Sequence, residues 1–538
     1  MRWTSIFVST VLALVVAGGA MTFHARISSP PISVILLTVE SLRADRFTAA
    51  LAPEFFAAAR GASSYRSHRS IASWTGPNIV TLLTGISPFE QGIHARGHSI
   101  AARGDVVLKK LAREGWDIGS VQAFAKTENF RNLGMPVSAG ETPQGWIARR
   151  EIAGKPFFFW HHYLETHLPY DPSDVFVNSS ARMPNQGEPA RARLQAVRHR
   201  PAVRAGSVAF EQSDRPYIGA LYDGGIREFD AWFGRFWRFF DTAGLRENTI
   251  LIVTADHGEE LLERGNVGHA STTMAGTLFE ESVRIPLFIW WPEQLDIKVA
   301  ERPSDHRDII PTVLDALGAA DGVARAGTSL LRPRGNYEWH ALTSKAGFAE
   351  VDPDNVKEFF AAVVKDRWKL IARAEGRSLA GIQLFDLSTD PGERHDKAAM
   401  RPYIVAQLLP GLEAQLSNFV LPGRPVTRLD RHEPDRVAPP NWIFPVTSRT
   451  VSWDELQGRV FLEWTGNPTK SYVLEYTAGS GPLEISGRIV VEGTRKEFGV
   501  FSKKYWDTWI VPYRQISVRV REASGGNWSE KLMIAVTK

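Results

Sequence analysis

The sequence predicts an α/β domain built on a mostly parallel sheet flanked by helices, followed by a C-terminal all-β sandwich. Three apolar runs rich in β-branched residues, at 32–39, 249–254 and 283–290, are typical of strands buried on both faces in a sheet covered by helices. A helical pattern at 223–242 lies between two of these runs. Alternation of strand and helix patterns is typical of α/β domains.

The C-terminal part of the sequence has a different texture. Residues 441–538 contain short segments rich in β-branched or aromatic residues, separated by Gly, Asn, Pro and Ser, and such spacing predicts a β-sandwich. Trp464 in an early strand and Tyr513 just before a late one make this module similar to a fibronectin type III domain. Residues 423–440 are rich in Pro, Arg and Asp and are predicted to be a linker, so the first domain is expected at 32–422.

Residues 1–25 are predicted to be a signal peptide or an N-terminal membrane anchor. Arg2 precedes an uncharged, mainly apolar run at 4–23 with small residues in its second half. The run is intermediate in length between a signal core and a spanning helix, so cleavage after Ala20 and retention as a single anchor both remain open. In either case we expect an exported protein, in the periplasm or at the outer face of the cytoplasmic membrane.

The composition is that of a globular protein. Charged residues make up 23% of the 538 residues and hydrophobic residues 43%, which excludes a disordered chain and a multi-span membrane protein. The net charge of +4, from 63 basic and 59 acidic residues, gives no argument for nucleic-acid binding and is compatible with an anionic substrate. Because the chain has no cysteine, disulfides, thiolate metal sites and cysteine nucleophiles are excluded.

Candidate metal ligands follow two of the predicted strands. Glu40 comes directly after the first apolar run, and Asp256 with His257 comes directly after the second. Ligands of open α/β sheets gather at the carboxyl ends of strands, and an adjacent Asp and His offer an oxygen and an imidazole to one ion. Gly258 is expected to permit a sharp turn there. The alternative for Glu40 is a cap on a helix that begins near Ser41.

A candidate nucleophile lies between these ligands in the sequence. Thr75 stands two positions before Pro77, on a loop that leads into an apolar helix. Backbone N–H groups at a helix N-terminus favour an anion, so the Thr75 hydroxyl is a candidate for contact with an anionic substrate. The alternative is an ordinary N-cap without chemistry.

Other polar residues near these motifs fit structural roles better. The aromatic-rich strand end at Trp160, His161 and His162 is predicted to pack in the core. The acidic residues after the Asp-His pair are predicted to form a solvated helix face. These acidic residues are Glu259, Glu260 and Glu263.

Seven segments, taken in order, resemble successive motifs of the sulfatase family of the alkaline phosphatase superfamily. They lie at 37–45, 75–85, 162–170, 254–259, 268–286, 308–312 and 384–393. The resemblance implies the fold of that superfamily and a metal-dependent ester hydrolase. It implies that Asp256 and His257 bind metal, and that Glu40 stands where an aspartate ligand usually stands.

The resemblance also assigns the reacting side chains. Thr75 falls on the position of the nucleophile, which is also a metal ligand in the family. His167 and His269 match histidines that contact the anionic group or the leaving group of the substrate. Some two-metal relatives use the last histidine as a ligand, so both roles remain open for His269.

The sequence departs from true sulfatases at the nucleophile. Sulfatases carry Cys or Ser there, converted to formylglycine, and an arginine in the same motif, whereas residues 75–79 read Thr-Gly-Pro-Asn-Ile. No formylglycine is therefore expected. Ser41 replaces a second metal-ligating aspartate, and His257 replaces an asparagine that accompanies calcium sites. The resulting set is similar to that of phosphoglycerol and phosphoethanolamine transferases of the superfamily, and its imidazole favours Mn or Zn over Ca or Mg.

From these features we expect an enzyme that cleaves phosphoric esters through a covalent intermediate on Thr75, with His167 or His269 as proton donor. The expected partner is an anionic ester, with lipid-linked and glycan-linked substrates both open, and no nucleic acid. Two alternatives remain. One is a sulfuric ester hydrolase that works with an unmodified threonine, and the other is a non-catalytic envelope or glycan-binding protein.

Overall fold

A computed structural model describes the chain from residue 31 to residue 537, with gaps. The gaps are 95–97, 101–105, 178–189, 191–192, 195–208, 270–276, 294, 296, 298–300, 320–326, 334, 345–357, 376–377, 418–441, 445–448, 457–458, 479–484, 501–502, 504–513 and 524–527. The segment 1–25, the linker at 423–440 and Tyr513 lie outside the described residues, so what the sequence predicts for them stays a prediction. Across the described ranges, no helix combines the length and the apolar character needed to cross a membrane.

The first part of the chain alternates strands and helices. Its strands are β1 (Ser33–Val39), β2 (Ser63–Ser64), β3 (His68–Arg69), β4 (Asp117–Gly119), β5 (Phe157–Tyr163), β6 (Thr249–Ala255), β7 (Glu260–Leu261), β8 (Val267–Gly268), β9 (Leu287–Trp290), β10 (Ser304–Asp305), β11 (Glu338–Ser344), β12 (Glu358–Lys365), β13 (Trp368–Glu375) and β14 (Ser378–Asp386). Its helices are α1 (Pro53–Ala58), α2 (Thr75–Thr84), α3 (Pro88–Gln91), α4 (Val107–Arg113), α5 (Pro143–Ala153), α6 (Arg215–Thr242), α7 (Glu280–Val283), α8 (Ile309–Ala316) and α9 (Pro402–Ser417).

The central sheet has six strands in the order β2-β9-β6-β1-β5-β4. Strand β1 pairs in parallel with β5 and β6, and β4 pairs in parallel with β5. The predicted mostly parallel sheet is therefore confirmed. The third apolar run differs from the prediction, because its strand begins only at Leu287 and runs antiparallel to β6. Pro286 has no N–H to give to a sheet ladder, and Val283 is still helical.

Apolar side chains cover both faces of this sheet. Along β1, Ile35 packs in one cluster with Phe233 of α6, whereas Val34 and Leu36 pack in another with Leu83 of α2. Successive residues of a strand point to opposite faces, so an uninterrupted apolar run is what a doubly covered strand requires. The helix predicted at 223–242 is confirmed as the C-terminal part of α6.

A second, antiparallel sheet of order β11-β12-β13-β14 was not predicted from the sequence. Its residues Trp339 and Phe385 pack against Val283 of the α/β part. Beside them Lys369 is fully buried, with its Nζ 3.0 Å from Glu280 Oε1 and 2.9 Å from Glu393 Oε1. A buried ion cluster therefore joins this sheet to the α/β part.

The C-terminal part contains β15 (Trp442–Phe444), β16 (Arg449–Val451), α10 (Trp453–Leu456), β17 (Arg459–Trp464), β18 (Ser471–Ala478), β19 (Ile485–Glu492), β20 (Arg495–Val500), β21 (Gln515–Glu522) and β22 (Leu532–Val536). The strands form two sheets, β15-β17-β20 and β16-β22-β21-β18-β19. Trp464 is fully buried, with its ring 5.6 Å from that of Tyr472. The predicted all-β module is thus confirmed, and its likeness to fibronectin type III stays a prediction.

Candidate active site

The two predicted metal-binding segments meet at one edge of the central sheet. Val39 and Ala255 are register partners in the parallel strands β1 and β6, and each is followed directly by a carboxylate, Glu40 or Asp256. The carboxyl ends of neighbouring parallel strands lie at the same edge, so these two side chains converge.

The backbone after β1 turns sharply at Ser41, which has a left-handed φ of 57°. This turn points the Ser41 N–H at Asp256 Oδ1, 2.9 Å away, while Ser41 Oγ donates to Glu40 Oε1 at 3.1 Å. A helix does not begin here, since the next one is α1 at Pro53–Ala58. The alternative interpretation of Glu40 as a helix cap is therefore wrong.

Gly258 is needed for a close approach of two backbone segments. A Cβ at this position would lie 2.1 Å from the carbonyl oxygen of Glu281, and the Gly258 N–H donates to the carbonyl oxygen of Ser282 at 2.9 Å. The sequence predicted a turn there, but Gly258 has no positive φ. The glycine instead lets the segment after His257 pack against α7.

That packing also overturns the prediction of a solvated acidic helix face. Glu259 and Glu260 are fully buried, and Glu260 lies in strand β7. Glu260 Oε1 accepts a hydrogen bond from Thr277 at 2.8 Å, and Glu263 forms an ion pair with Arg43 at 2.8 Å. Because Thr277 and Arg43 offset the burial of Glu260 and Glu263, the segment can be acidic and still lie inside the protein.

The structure brings all four predicted metal-site residues together. Thr75 is the first residue of α2, and its Oγ1 lies 3.3 and 3.4 Å from the two Glu40 carboxylate oxygens and 3.4 Å from His257 Nε2. His257 Nε2 in turn lies 3.1 Å from Glu40 Oε1 and 3.2 Å from Asp256 Oδ2. His257 Nε2 therefore lies within 3.4 Å of a donor atom of each of the other three residues.

This donor set fits a divalent cation. Donors bound to one tetrahedral ion at about 2.0–2.2 Å stand about 3.3–3.6 Å apart, close to the 3.1–3.4 Å found here. Asp256 Oδ2 is buried, and no hydrogen-bond donor among the described residues satisfies it. A buried carboxylate oxygen of this kind calls for a cation. Carboxylates, an imidazole and a hydroxyl are ordinary ligands of divalent metal ions.

The directions in which the pKa values of Glu40 and His257 are shifted also indicate a site for a cation. Burial alone would raise the pKa of Glu40, but hydrogen bonds with His162 and His257 hold that pKa well below its usual range. Burial alone would lower the pKa of His257, but Asp256 and Glu40 hold it well above its usual range. The two carboxylates thus create a potential negative enough to hold a positive charge between them.

The two histidines predicted to contact substrate lie beside this group. The rings of His167 and His269 are 5.1 Å apart, and the His269 ring is 4.3 Å from that of His257. Each has a nitrogen within 4.8 Å of a Glu40 carboxylate oxygen. His269 Nδ1 also lies 2.9 Å from Glu259 Oε1, which fixes the ring. Both roles predicted for His269, ligand and substrate contact, are compatible with this position.

Sequence reasoning missed His162, which it assigned to packing. His162 Nε2 lies 2.8 Å from Glu40 Oε2 and 3.9 Å from Asp256 Oδ2, so this prediction is wrong. The neighbouring His161 points to the other face of the sheet and stacks on Trp232 with ring centroids 5.1 Å apart, as the packing prediction requires. The alternation of side chains along a strand is the signal that distinguishes the two histidines. His162 is the register partner of Thr38, which lies two residues before Glu40, so these side chains share one face of the sheet.

Comparison with known proteins agrees with this fold. A family model described as sulfatase matches residues 144–319. The chain is 31% identical over 205 residues to arylsulfatase K of Bos taurus, which covers 37% of this chain and 36% of that protein. It is 26% identical over 269 residues to an arylsulfatase of Clostridium perfringens, which covers 47% of this chain and 52% of that protein. The chain thus spans about a third to a half of the length of these relatives.

A solved structure extends the similarity of fold. The phosphonate monoester hydrolase of Agrobacterium radiobacter superposes with a TM-score of 0.56 at 20% identity, over 72% of this chain and 95% of that one. The matched family segment includes His162, His167 and the Asp256-His257 pair, and Glu40 and Thr75 meet them through the fold. The chain therefore contains a segment that matches the sulfatase family model, and its fold is similar to that of the phosphonate monoester hydrolase.

Proposed function

We propose that the chain is an exported, metal-dependent hydrolase or transferase that cleaves phosphoric esters through a covalent intermediate on Thr75. The observation that carries this proposal is the position of the Thr75 hydroxyl, at the start of α2 and within 3.4 Å of both Glu40 and His257. A nucleophile at a helix N-terminus faces backbone N–H groups that favour an anionic ester. The proposal of export rests on the apolar segment at 1–25.

The identity of residue 75 favours phosphorus over sulfur. The sulfatase reaction, as the resemblance implies it, uses a formylglycine made from Cys or Ser, and threonine cannot give that aldehyde. An unmodified hydroxyl is a suitable nucleophile for phosphoryl transfer, where catalysis depends mainly on positioning and on neutralising charge.

Glu40, Thr75, Asp256 and His257 would hold a divalent ion, for which we favour Mn or Zn. When bound, such an ion would act as a Lewis acid that lowers the hydroxyl pKa and offsets charge on the ester. The Thr75 hydroxyl gives up its proton to solvent, and Oγ1 forms a bond to phosphorus while the bond from phosphorus to the leaving oxygen breaks. His167 or His269 donates a proton to that oxygen. Water or an acceptor alcohol then attacks phosphorus and passes its proton to the same histidine. The bond from phosphorus to Thr75 Oγ1 breaks, and Oγ1 takes back a proton from solvent.

A sulfuric ester hydrolase is the second candidate. It is favoured by the sulfatase family model and by the two relatives named arylsulfatase. Turnover of sulfate esters by this chain would require the unmodified Thr75 hydroxyl to attack sulfur.

Purified chain assayed with aryl phosphodiester, aryl phosphomonoester and aryl sulfate, each with added Mn²⁺ or Zn²⁺, separates these candidates. We expect phosphoester turnover to dominate, and dominant sulfate turnover would overturn the preference. Absence of any turnover together with absence of metal binding would instead favour a non-catalytic binding protein. Mass spectrometry of acid-quenched reactions should find a phosphoryl group on the peptide that contains Thr75.

A further inference from the structure

We propose that His162 is a positioning residue that fixes the Glu40 carboxylate, and that Thr38 and Trp160 fix His162 in turn. This inference rests on the proposed function, because it concerns the carboxylate proposed to bind the ion. It adds three residues that the family resemblance does not assign.

The four side chains form an unbroken series of contacts. Trp160 Nε1 donates to Thr38 Oγ1 at 3.0 Å, Thr38 Oγ1 lies 2.7 Å from His162 Nδ1, and His162 Nε2 lies 2.8 Å from Glu40 Oε2. Trp160, Thr38 and His162 are fully buried, and Glu40 is 1% exposed. Water therefore does not compete for these contacts, and each buried polar atom depends on its neighbour in the series.

The chemistry of the two ends sets the direction of the hydrogen bonds. An indole N–H can only donate, and an ionised carboxylate can only accept. His162 Nε2 must therefore carry the hydrogen that it shares with Glu40. The Nδ1 atom on the other side of the ring contacts the Thr38 oxygen at 2.7 Å, and that oxygen accepts from Trp160. This arrangement satisfies every group and holds the His162 ring in one orientation.

Glu40, His162 and Asp256 also offer donor atoms within 4.8 Å of one another, so a role for His162 as a ligand is the alternative that the distances must be weighed against. The 2.8 Å between His162 Nε2 and Glu40 Oε2 is typical of a charge-assisted hydrogen bond, whereas His162 Nε2 lies 3.9 Å from Asp256 Oδ2. His162 holds Glu40 Oε2, while Glu40 Oε1 faces His257 at 3.1 Å. Fixing one oxygen fixes the rotation of the carboxylate, and so presents the other oxygen to the ion.

The position of His162 also makes its neighbour a matched control. His161 is buried in the same strand, but its ring stacks on Trp232 at 5.1 Å on the opposite face of the sheet. A change at His161 perturbs the strand and its packing, and leaves the contacts of Glu40 in place.

The test measures Mn²⁺ affinity of the metal-free full-length chain by isothermal titration calorimetry. Loss of an outer-shell partner typically weakens metal binding about 10- to 100-fold, and we expect a loss in this range for His162→Phe. His162→Gln, whose amide N–H can still donate to Glu40, should recover most of the affinity. Thr38→Val should weaken binding in the same direction, whereas Thr38→Ser and His161→Gln should bind as the wild type does.

Circular dichroism and thermal melting of the metal-free proteins report whether each variant is folded. If His162→Phe does not fold, the comparison of Thr38→Val with Thr38→Ser still tests the inference. Equal affinity of the wild type and Thr38→Val, with His162→Phe also unchanged where it folds, would overturn the inference and leave the proposed function intact. An equal loss in His161→Gln and His162→Phe would also overturn it. Wild-type chain that binds no Mn²⁺ would overturn the proposed function together with this inference.

Discussion

Replacing Lys369 with methionine would remove one charge from the buried cluster that joins the four-stranded sheet to the α/β part. The Lys369 ammonium lies 2.9 Å from Glu393 Oε1 and 3.0 Å from Glu280 Oε1, with no exposed side-chain surface. Methionine has a similar length and is flexible enough to fill the space. The substitution therefore removes charge and leaves the packing largely intact.

The expected loss of stability depends on which carboxylate loses its cation. Glu280 keeps Arg69, whose Nη2 lies 2.9 Å from Glu280 Oε2. Glu393 loses its ion-pair partner, and burial already raises the pKa of this carboxyl. Breaking a buried ion pair from one side costs about 3–5 kcal/mol. We expect about 3 kcal/mol, because Glu393 can take up a proton and avoid remaining as an unpaired charge.

Urea-induced unfolding followed by tryptophan fluorescence measures this change in the free energy of unfolding. Lys365→Met is the matched control, because Lys365 lies on the neighbouring strand and pairs with Glu338 at the surface. Exposed pairs are screened by solvent, so the control should lose much less stability. A Lys369→Met variant no less stable than Lys365→Met would refute the argument that the cluster stabilises the junction between the two sheets.

Three further predictions follow from the site and its surroundings. Thr75→Ala should lower kcat by at least about 10³-fold and abolish the covalent adduct, whereas Thr75→Ser should retain both, as stopped assays and mass spectrometry would show. Burial alone would raise the pKa of Glu280, but its two cationic neighbours hold it far below the usual range. Its contribution to stability should be complete above the unfolded-state pKa of about 4.3 and be lost as pH falls below that value, so urea midpoints should drop more steeply there than in Glu280→Gln. His306 lies 3.2 Å from Asn78 Oδ1 and 3.1 Å from the Ala255 carbonyl oxygen, and His306→Phe should lower the free energy of unfolding in urea by about 1–3 kcal/mol.

The meeting of Glu40, Asp256 and His257 could be predicted from the sequence. Each follows an apolar run recognisable as a buried parallel strand, and the ends of such strands share one edge of the sheet. The position of Thr75 beside them was predicted only from the family resemblance. A local sequence pattern predicts a helix N-terminus but does not predict which sheet edge that terminus contacts.

His162 could not be separated from His161 by sequence pattern alone. Adjacent residues of a strand point to opposite faces, and which face carries the site depends on the register with β1. The burial of Glu259 was hidden for a related reason. Its Oε1 lies 2.9 Å from His269 Nδ1, ten residues away, whereas the composition of an acidic segment predicts exposure to solvent.

The four-stranded sheet escaped prediction because its strands lack alternation. In β12, the adjacent residues Ala361 and Ala362 are both fully buried, since one packs toward α9 and the other toward the α/β part. A strand covered on both faces shows no alternation of apolar and polar residues. Its continuous apolar run cannot be distinguished from a buried helix by periodicity.

Metal content tests most directly whether four distant side chains gather around a divalent cation. Chain stripped with a chelator, reconstituted with Mn²⁺ or Zn²⁺ and desalted should retain at least one ion by mass spectrometry, whereas Asp256→Asn should retain far less. Asp230→Asn is the control, because Asp230 is buried elsewhere and accepts the Phe55 N–H at 2.7 Å. Equal retention by all three proteins, or no retention by the wild type, would contradict the account.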